Sequence, residues 1–195
     1  MATYKSIRYN VDYGGKAGSL IPLLLFTSDG SDDTAQFTTK IDSTYDEYLF
    51  ILNNIHGETA DTHLAWQCNA VGGSGFDETI TSTSFISKHS EDDGTASVAY
   101  VTYGDLAQAT GNIRLTHSNN ENDQGQSGWL RIYNPSSTTF VKSFLSRVGG
   151  VEETPQIYDW FAAGYINTTA AIDEVQFYFS SGEIQGGTIG MFGVH

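Results

Sequence analysis

Two histidines and two acids lie close together in the sequence and are the first candidates for metal ligands. His56 and His63 are separated by a short segment that contains Glu58 and Asp61. Zinc accepts imidazole and carboxylate ligands, but structural zinc sites usually include cysteine and require a tetrahedral arrangement. No cysteine lies nearby, and the four residues flank a predicted loop between two strands. The pattern therefore indicates a solvated loop, and we predict neither a metal nor a cofactor.

Two acidic segments could supply oxygen ligands to calcium. One contains Asp29, Asp32 and Asp33, and the other runs from Glu91 to Asp93. Neither segment has the spacing of a 12-residue calcium loop, in which ligands alternate and a glutamate closes the set. We interpret both as charged, solvated turns.

The residues that resemble a nucleophile or an acid–base pair do not form a catalytic pattern. The segment 72–76 departs from G-x-S-x-G at its last position and connects two strands, whereas that motif joins a strand to a helix. Cys68 lies within a predicted strand among apolar neighbours, which indicates a small buried side chain. The carboxylates at 77–78 and 152–153 are adjacent, so a strand would turn each pair to opposite faces. The sequence therefore predicts no enzyme, although distant acids that converge on a cleft stay an open alternative.

Aromatic residues at alternate positions point to surface recognition instead. Trp129, Arg131 and Tyr133 alternate in one predicted strand, and Tyr158 and Trp160 alternate in a later one. Rings on the surface of a sheet can stack on sugars or anchor a protein interface, where Trp, Tyr and Arg are enriched. The alternative is that these side chains form the second face of a sheet that is covered on both sides.

The first 22 residues differ from the remainder in charge and in pattern. Lys5, Arg8 and Lys16 against Asp12 give this segment a charge of +2, whereas the whole chain carries −14, so residues 23–195 carry −16. We predict an extended arm over residues 1–22 that pairs with its own sheet or with a neighbouring subunit. The candidate contact residues in this arm are Tyr4, Lys5, Ile7, Arg8, Tyr9 and Tyr13.

The acidic body excludes one class of partner. Nucleic-acid binding requires a cationic face that releases counterions, which this composition cannot build over a large area. Anionic membranes are disfavoured for the same reason. The longest aliphatic run, from Leu20 to Phe26, contains Pro22 and is too short to span a bilayer.

The periodicity predicts an all-β fold, an antiparallel jelly-roll-like sandwich over residues 23–195. About a dozen short β-branched and aromatic runs are separated by Gly, Asn, Asp and Ser at spacings typical of sandwiches. One helical turn is allowed at 105–109. The predicted strands are 23–27, 37–40, 45–55, 62–71, 84–89, 97–102, 113–118, 128–134, 138–147, 157–166, 173–181 and 187–194.

Three further segments carry a resemblance to a known group. They are Asn134–Lys142 (NPSSTTFVK), Asn167–Asp173 (NTTAAID) and the terminal stretch 180–193 with its GTIGMFG. Together with the openings KSIRYN and IDSTYDEY, they resemble cyanophage-like virion structural proteins of tailed phages that infect aquatic bacteria. The resemblance implies a β-sandwich component of the virion, with NPSSTT as a corner between strands and GTI…FG in a closing strand.

The resemblance and the basic arm together suggest a function. The first hypothesis is a capsid decoration (cement) protein, a homo-oligomer such as a trimer, whose partner is the major capsid protein or another virion protein. The second is a tail-fibre or baseplate adhesion module that binds glycans of the host surface. Both hypotheses place the protein in the virion.

Overall fold

The structure is a computed structural model that describes residues 12–13, 16–17, 20–121, 123–152 and 156–195. Its described part contains fourteen strands and no helix, and therefore no helix that could cross a bilayer. The strands are β1 Asp12–Tyr13, β2 Lys16–Ala17, β3 Ile21–Thr27, β4 Ala35–Phe37, β5 Glu47–Gly57, β6 Thr62–Ala70, β7 Ile80–Ser90, β8 Ala96–Tyr100, β9 Ile113–Ser118, β10 Gln126–Tyr133, β11 Lys142–Glu152, β12 Gln156–Ile166, β13 Ile172–Phe179 and β14 Ile184–Val194.

Two antiparallel sheets pack face to face, which confirms the predicted sandwich. The large sheet has eight strands in the order β3-β14-β5-β10-β11-β12-β7-β8, and the small sheet has four in the order β4-β13-β6-β9. The pair β1–β2 forms a separate hairpin that precedes β3. All these pairings are antiparallel, so neighbouring residues in a strand turn to opposite faces of their sheet.

The core fills the space between the sheets and follows this alternation. In β10, Leu130 and Ile132 are buried, and in β13 the same holds for Val175, Phe177 and Phe179. Rings from the two sheets meet edge to face, with Trp66 of β6 at 4.9 Å from Phe144 of β11. Burying a side chain of this size contributes about 1.5–3 kcal/mol, so the apolar contacts between the sheets determine their relative position.

The corner between β10 and β11 is longer than the sequence predicts. Residues 138–141 do not form the start of a strand, because the Ser137 hydroxyl accepts hydrogen bonds from the N–H groups of Thr139 and Phe140 at 3.2 and 2.9 Å. Asn134 begins this turn with a left-handed φ of 47°. Local side-chain bonds of this kind compete with a strand ladder. The NPSSTT segment is thus a corner, as predicted, and β11 begins only at Lys142.

The predicted helical turn at 105–109 is absent. The N–H and C=O groups of this segment bond across to the first residues of β7. Ser82 donates to the carbonyl of Leu106 at 2.9 Å, and Ile80 and Ala109 exchange two hydrogen bonds. Backbone groups that pair in this way are not available for i→i+4 bonds. The segment therefore continues the edge of the large sheet beyond β8.

A buried lysine joins two of the segments on which the resemblance rests. Lys142 is fully buried, and its ammonium donates hydrogen bonds to the carbonyl oxygens of Thr168, at 3.1 Å, and Ala170. Ile172 also donates to the carbonyl of Pro135 at 2.9 Å. Desolvation lowers the pKa of Lys142. The NPSSTTFVK and NTTAAID segments are therefore in contact, and their contact is structural.

Candidate functional site

The large sheet has one face that the small sheet does not cover, and we call it the outer face. Residues on this face alternate with the core residues along each strand. Strand register aligns a row of side chains across six neighbouring strands, from β5 to β8. In order, the row is Ile51, Trp129, Arg147, Phe161, Phe85 and Tyr100.

The centre of this row is a stack of flat groups. The rings of Phe85 and Phe161 are parallel within 8°, with their centroids 4.6 Å apart. The guanidinium of Arg147 lies over Phe161, 4.8 Å from the ring centroid. Such contacts between strands contribute stability and hold the flat groups in fixed positions. The stack is therefore a rigid surface that a partner can contact without ordering it first.

A shallow groove of about 270 Å³ lies beside the stack. Its lining includes Phe85, Phe161, Trp129 and Leu145, and the small side chains of Thr83 and Ala163 leave space between the larger ones. This volume is sufficient for one ring or one branched apolar side chain. Because the lining is mainly apolar, the groove is suited to an anchor side chain of a protein partner or to one face of a sugar ring.

The charges on the outer face balance each other. Arg147 makes a bidentate contact with Asp159, at 2.9 and 2.7 Å, and this contact raises the pKa of Arg147. Arg131 donates to Glu47 at 2.7 Å and lies over the ring of Trp129. Among the described side chains of the eight strands, no other Lys, Arg, Asp or Glu lies on this face. The strand side chains of this face therefore carry no net charge, although the body of the chain is strongly acidic.

Exposed apolar side chains are concentrated on the same face. Of the twelve large hydrophobic side chains that are exposed in the described part of the chain, seven lie there: Leu25, Ile51, Phe85, Val98, Tyr100, Leu145 and Ile157. Exposed apolar side chains that gather on one face of a protein are a feature of interaction surfaces.

The predicted recognition residues divide into two groups. Trp129, Arg131 and Tyr133 lie partly exposed on the outer face, as their alternation predicts. Tyr158 and Trp160 are 5% and 0% exposed and belong to the core, so their predicted surface position is wrong. They occupy alternate positions of β12 that turn inward. Phe161, the next residue after Trp160, turns outward and lines the groove.

The predicted arm contacts are only partly within the described structure. Tyr4, Lys5, Ile7, Arg8 and Tyr9 lie outside the described residues. Tyr13 lies in β1, of which the pairing with β2 is described. The partner of the arm therefore stays a prediction.

The other candidate residues do not assemble a reactive site. The described residues contain no group of three or more His, Cys, Asp and Glu side chains placed to hold a metal ion. His56 contacts the carbonyl oxygen of Gln124 through Nδ1 at 2.7 Å. Cys68 is fully buried, and desolvation raises the pKa of its thiol well above the usual value. Such a thiol is protonated at neutral pH and is a weak nucleophile.

Sequence reasoning missed Phe85, Leu145, Arg147 and Phe161. These residues come from three strands, and the row that they form depends on a register between residues far apart in the chain. A signal was present in β11, where Ser143, Leu145 and Arg147 alternate with buried residues.

Comparison of the chain with protein-family models, with curated proteins and with solved structures finds no match.

Proposed function

We propose that the protein is a virion structural protein of the capsid decoration type, which binds the assembled shell through its outer face and stabilises it. The observation that carries this proposal is an electrically balanced, apolar face on an acidic body. The resemblance of NPSSTTFVK and NTTAAID to phage virion proteins supports the viral context. The outer face supports a protein partner, because a rigid sheet surface of this kind fits a large protein surface.

The size of the outer face is sufficient for a specific interface. Eight strands at about 4.8 Å spacing span about 38 Å, and six residues of each strand extend about 20 Å. The product is about 800 Å² for one partner, which is the area that a standard protein–protein interface buries on each side. Because the decoration protein binds the assembled shell better than its separate parts, each bound copy stabilises the shell by mass action.

The acidic surface outside this face supports an orientation in which the outer face contacts the shell and the acidic surface is exposed to solvent. With −16 on residues 23–195 and no net charge on the outer face, the remaining surface carries the negative charge. That charge keeps decorated particles apart in solution through mutual repulsion. The face without net charge is the one that approaches another protein without this electrostatic cost.

The first test is a charge placed in the proposed interface. In Leu145→Lys, an ammonium replaces a 42% exposed side chain beside the groove. Desolvating this charge in an apolar interface costs several kcal/mol, so we expect binding to purified shells to weaken at least about tenfold in a sedimentation assay. Val71→Lys is the matched control, since Val71 is 58% exposed in a turn outside the outer face. Equal binding by both variants and the parent would contradict the proposed face.

A second measurement tests the location in the virion. A decoration protein is present in as many copies as the shell has equivalent positions, whereas a fibre protein is present in far fewer. Quantitative gel densitometry of purified particles against the major capsid protein distinguishes these cases. A copy number of the fibre type would contradict the decoration role even if Leu145→Lys weakened binding.

The groove favours a second candidate function, an adhesion module that binds host glycans. Trp129 and the stacked rings of Phe85 and Phe161 provide faces on which a sugar ring can stack, and the paired Arg147 and Asp159 lie beside them. A glycan array tests this candidate. Selective binding that Trp129→Ala and Phe161→Ala both abolish, while Val71→Lys retains it, would favour adhesion over decoration.

A further inference from the structure

Strand β8 leaves one edge of the large sheet open. Its five residues, Ala96–Tyr100, are all exposed, and they include neither a charge nor a proline. Within the described structure β8 pairs with β7 alone. Natural proteins usually protect such an edge with Lys, Pro, a bulge or a covering segment, because an unprotected edge pairs with other strands.

The pattern of hydrogen bonds between β7 and β8 shows which backbone groups of β8 face the open edge. Ser90 donates to Thr95 and Val101 donates to Ser84, at 2.9 and 3.0 Å, so Thr95 and Val101 are bonded positions of the antiparallel ladder. Bonded and non-bonded positions alternate in such a ladder. The N–H and C=O groups of Ala96, Val98 and Tyr100 therefore point away from β7. They form a row of donors and acceptors at the spacing that another strand requires.

The opposite edge of the same sheet is protected. Strand β3 contains Pro22, which has no N–H to donate. The β14–β3 register also shifts between Met191 and Phe192, at the level of Pro22. The two edges are thus different, and β8 is the one suited to strand addition.

The acidic residues near both ends of β8 favour a partner strand with basic side chains. The turn before it contains Glu91, Asp92 and Asp93, and Asp105 accepts a hydrogen bond from the Tyr100 hydroxyl at its other end. Two copies of β8 paired antiparallel would bring the acidic turn of one copy close to Asp105 of the other. Like charges opposed across strands are destabilising. A strand with a basic character fits this edge better than a second β8 does.

We propose that residues 3–11 of a second copy of this chain add to β8 as a ninth strand of the large sheet. In this segment Ile7, Tyr9 and Val11 alternate, as a strand with one apolar face requires. Lys5 and Arg8 are its charged side chains, and they complement the acids at the two ends of β8. The apolar side chains would lie beside Val98 and Tyr100 and extend the outer face.

The reach of the chain assigns this segment to another copy. Strands β3 and β8 are seven strand spacings apart, about 34 Å. In the hairpin Asp12 pairs with Ala17, so residues 12–17 advance only about 5 Å, and the connection to Ile21 adds about 14 Å. Together these two segments reach about 19 Å from Ile21, which is shorter than the distance of about 34 Å from β3 to β8 of the same chain. The pairing is independent of the proposed shell binding, because it joins copies of the chain in solution.

Two full-length variants test the pairing from both sides. Val98→Pro removes an edge N–H that the β7–β8 ladder does not use, and Ile7→Pro removes one from the arm. By light scattering, the parent should form an oligomer of the 21.2 kDa chain, and each variant alone should be a monomer. A mixture of the two variants should form a complex, since one supplies an intact arm and the other an intact edge. Val98→Thr keeps the N–H and should behave as the parent does.

Amide hydrogen exchange keeps the test decisive if a proline variant fails to fold. In the parent, the amides of Val98 and Tyr100 should be protected at concentrations where the oligomer forms, and they should lose protection in Ile7→Pro. A monomeric parent, or fast exchange of these two amides in the oligomer, would overturn the proposal. An oligomer that persists in both proline variants would also overturn it, whatever the outcome of the shell-binding assay.

Discussion

At the scale of single residues, His63 shows how the packing of the small sheet controls a protonation state. It lies in β6, paired with His117 of β9, and Arg114 is close to it. Desolvation, with smaller contributions from Arg114 and His117, lowers the pKa of His63 to about 4. The imidazole is therefore neutral in the folded protein at neutral pH, because an additional proton would be poorly solvated and would lie near the Arg114 guanidinium.

This depressed pKa predicts a loss of stability in mild acid. An unfolded histidine has a pKa near 6.5, so the unfolded chain binds the proton first. The contribution of His63 to stability is complete above about pH 6.5 and decreases as the pH falls towards about 4. In His63→Gln we expect a smaller decrease of the urea midpoint between pH 7 and pH 5 than in the parent. The same decrease in both proteins would show that other groups determine the acid sensitivity.

At the scale of elements, two glycines of the adjacent strands β10 and β11 differ in how closely the neighbouring backbone approaches them. A Cβ at Gly128 would overlap the carbonyl oxygen of Arg147 and lie 2.6 Å from Cα of Val148. A Cβ at Gly149 would have its nearest neighbour, the Tyr158 carbonyl oxygen, at 3.8 Å. The two glycines belong to adjacent strands and differ in the space around them.

These two positions form a matched pair for mutation. Gly128→Ala should lower the free energy of unfolding by about 3 kcal/mol or more, because the backbones of β10 and β11 would have to separate. Gly149→Ala should change it by less than about 1 kcal/mol, and it should be stabilising if the entropy of the unfolded chain dominates. Urea unfolding measures both. Similar losses in both variants would show that the sheet does not pack as described.

Strands were predictable from the sequence, and their register was not. Alternation located β10 and β13 because each has one apolar face, and that pattern is local. Strand β12 carries aromatic side chains on both faces, so its sequence does not show which face is inward. Trp160 was for this reason predicted on the surface, while Phe161, which stacks on Phe85 of another strand, was missed. The candidate site depends on such pairings and is visible only after the strands are aligned.

At the scale of the whole molecule, the proposed function depends on the separation of charge between surfaces. The outer face balances its carboxylates with Arg131 and Arg147, whereas the turns at 28–33 and 91–94 concentrate acids at the ends of strands. If the shell that the protein is proposed to bind is acidic, the balanced face would approach it with less electrostatic repulsion than the acidic surfaces would. The arm and β8 would then link neighbouring copies without covering this face.

The position of Cys68 gives the chain an internal probe of its own opening. It is the single cysteine of the sequence, and it lies between the sheets with a thiol that burial keeps protonated. A chromogenic thiol reagent can therefore react only with molecules whose sheets have separated. At saturating reagent we expect the modification rate in native buffer to equal the global unfolding rate. A plateau rate faster than global unfolding would instead reveal a local route to the core.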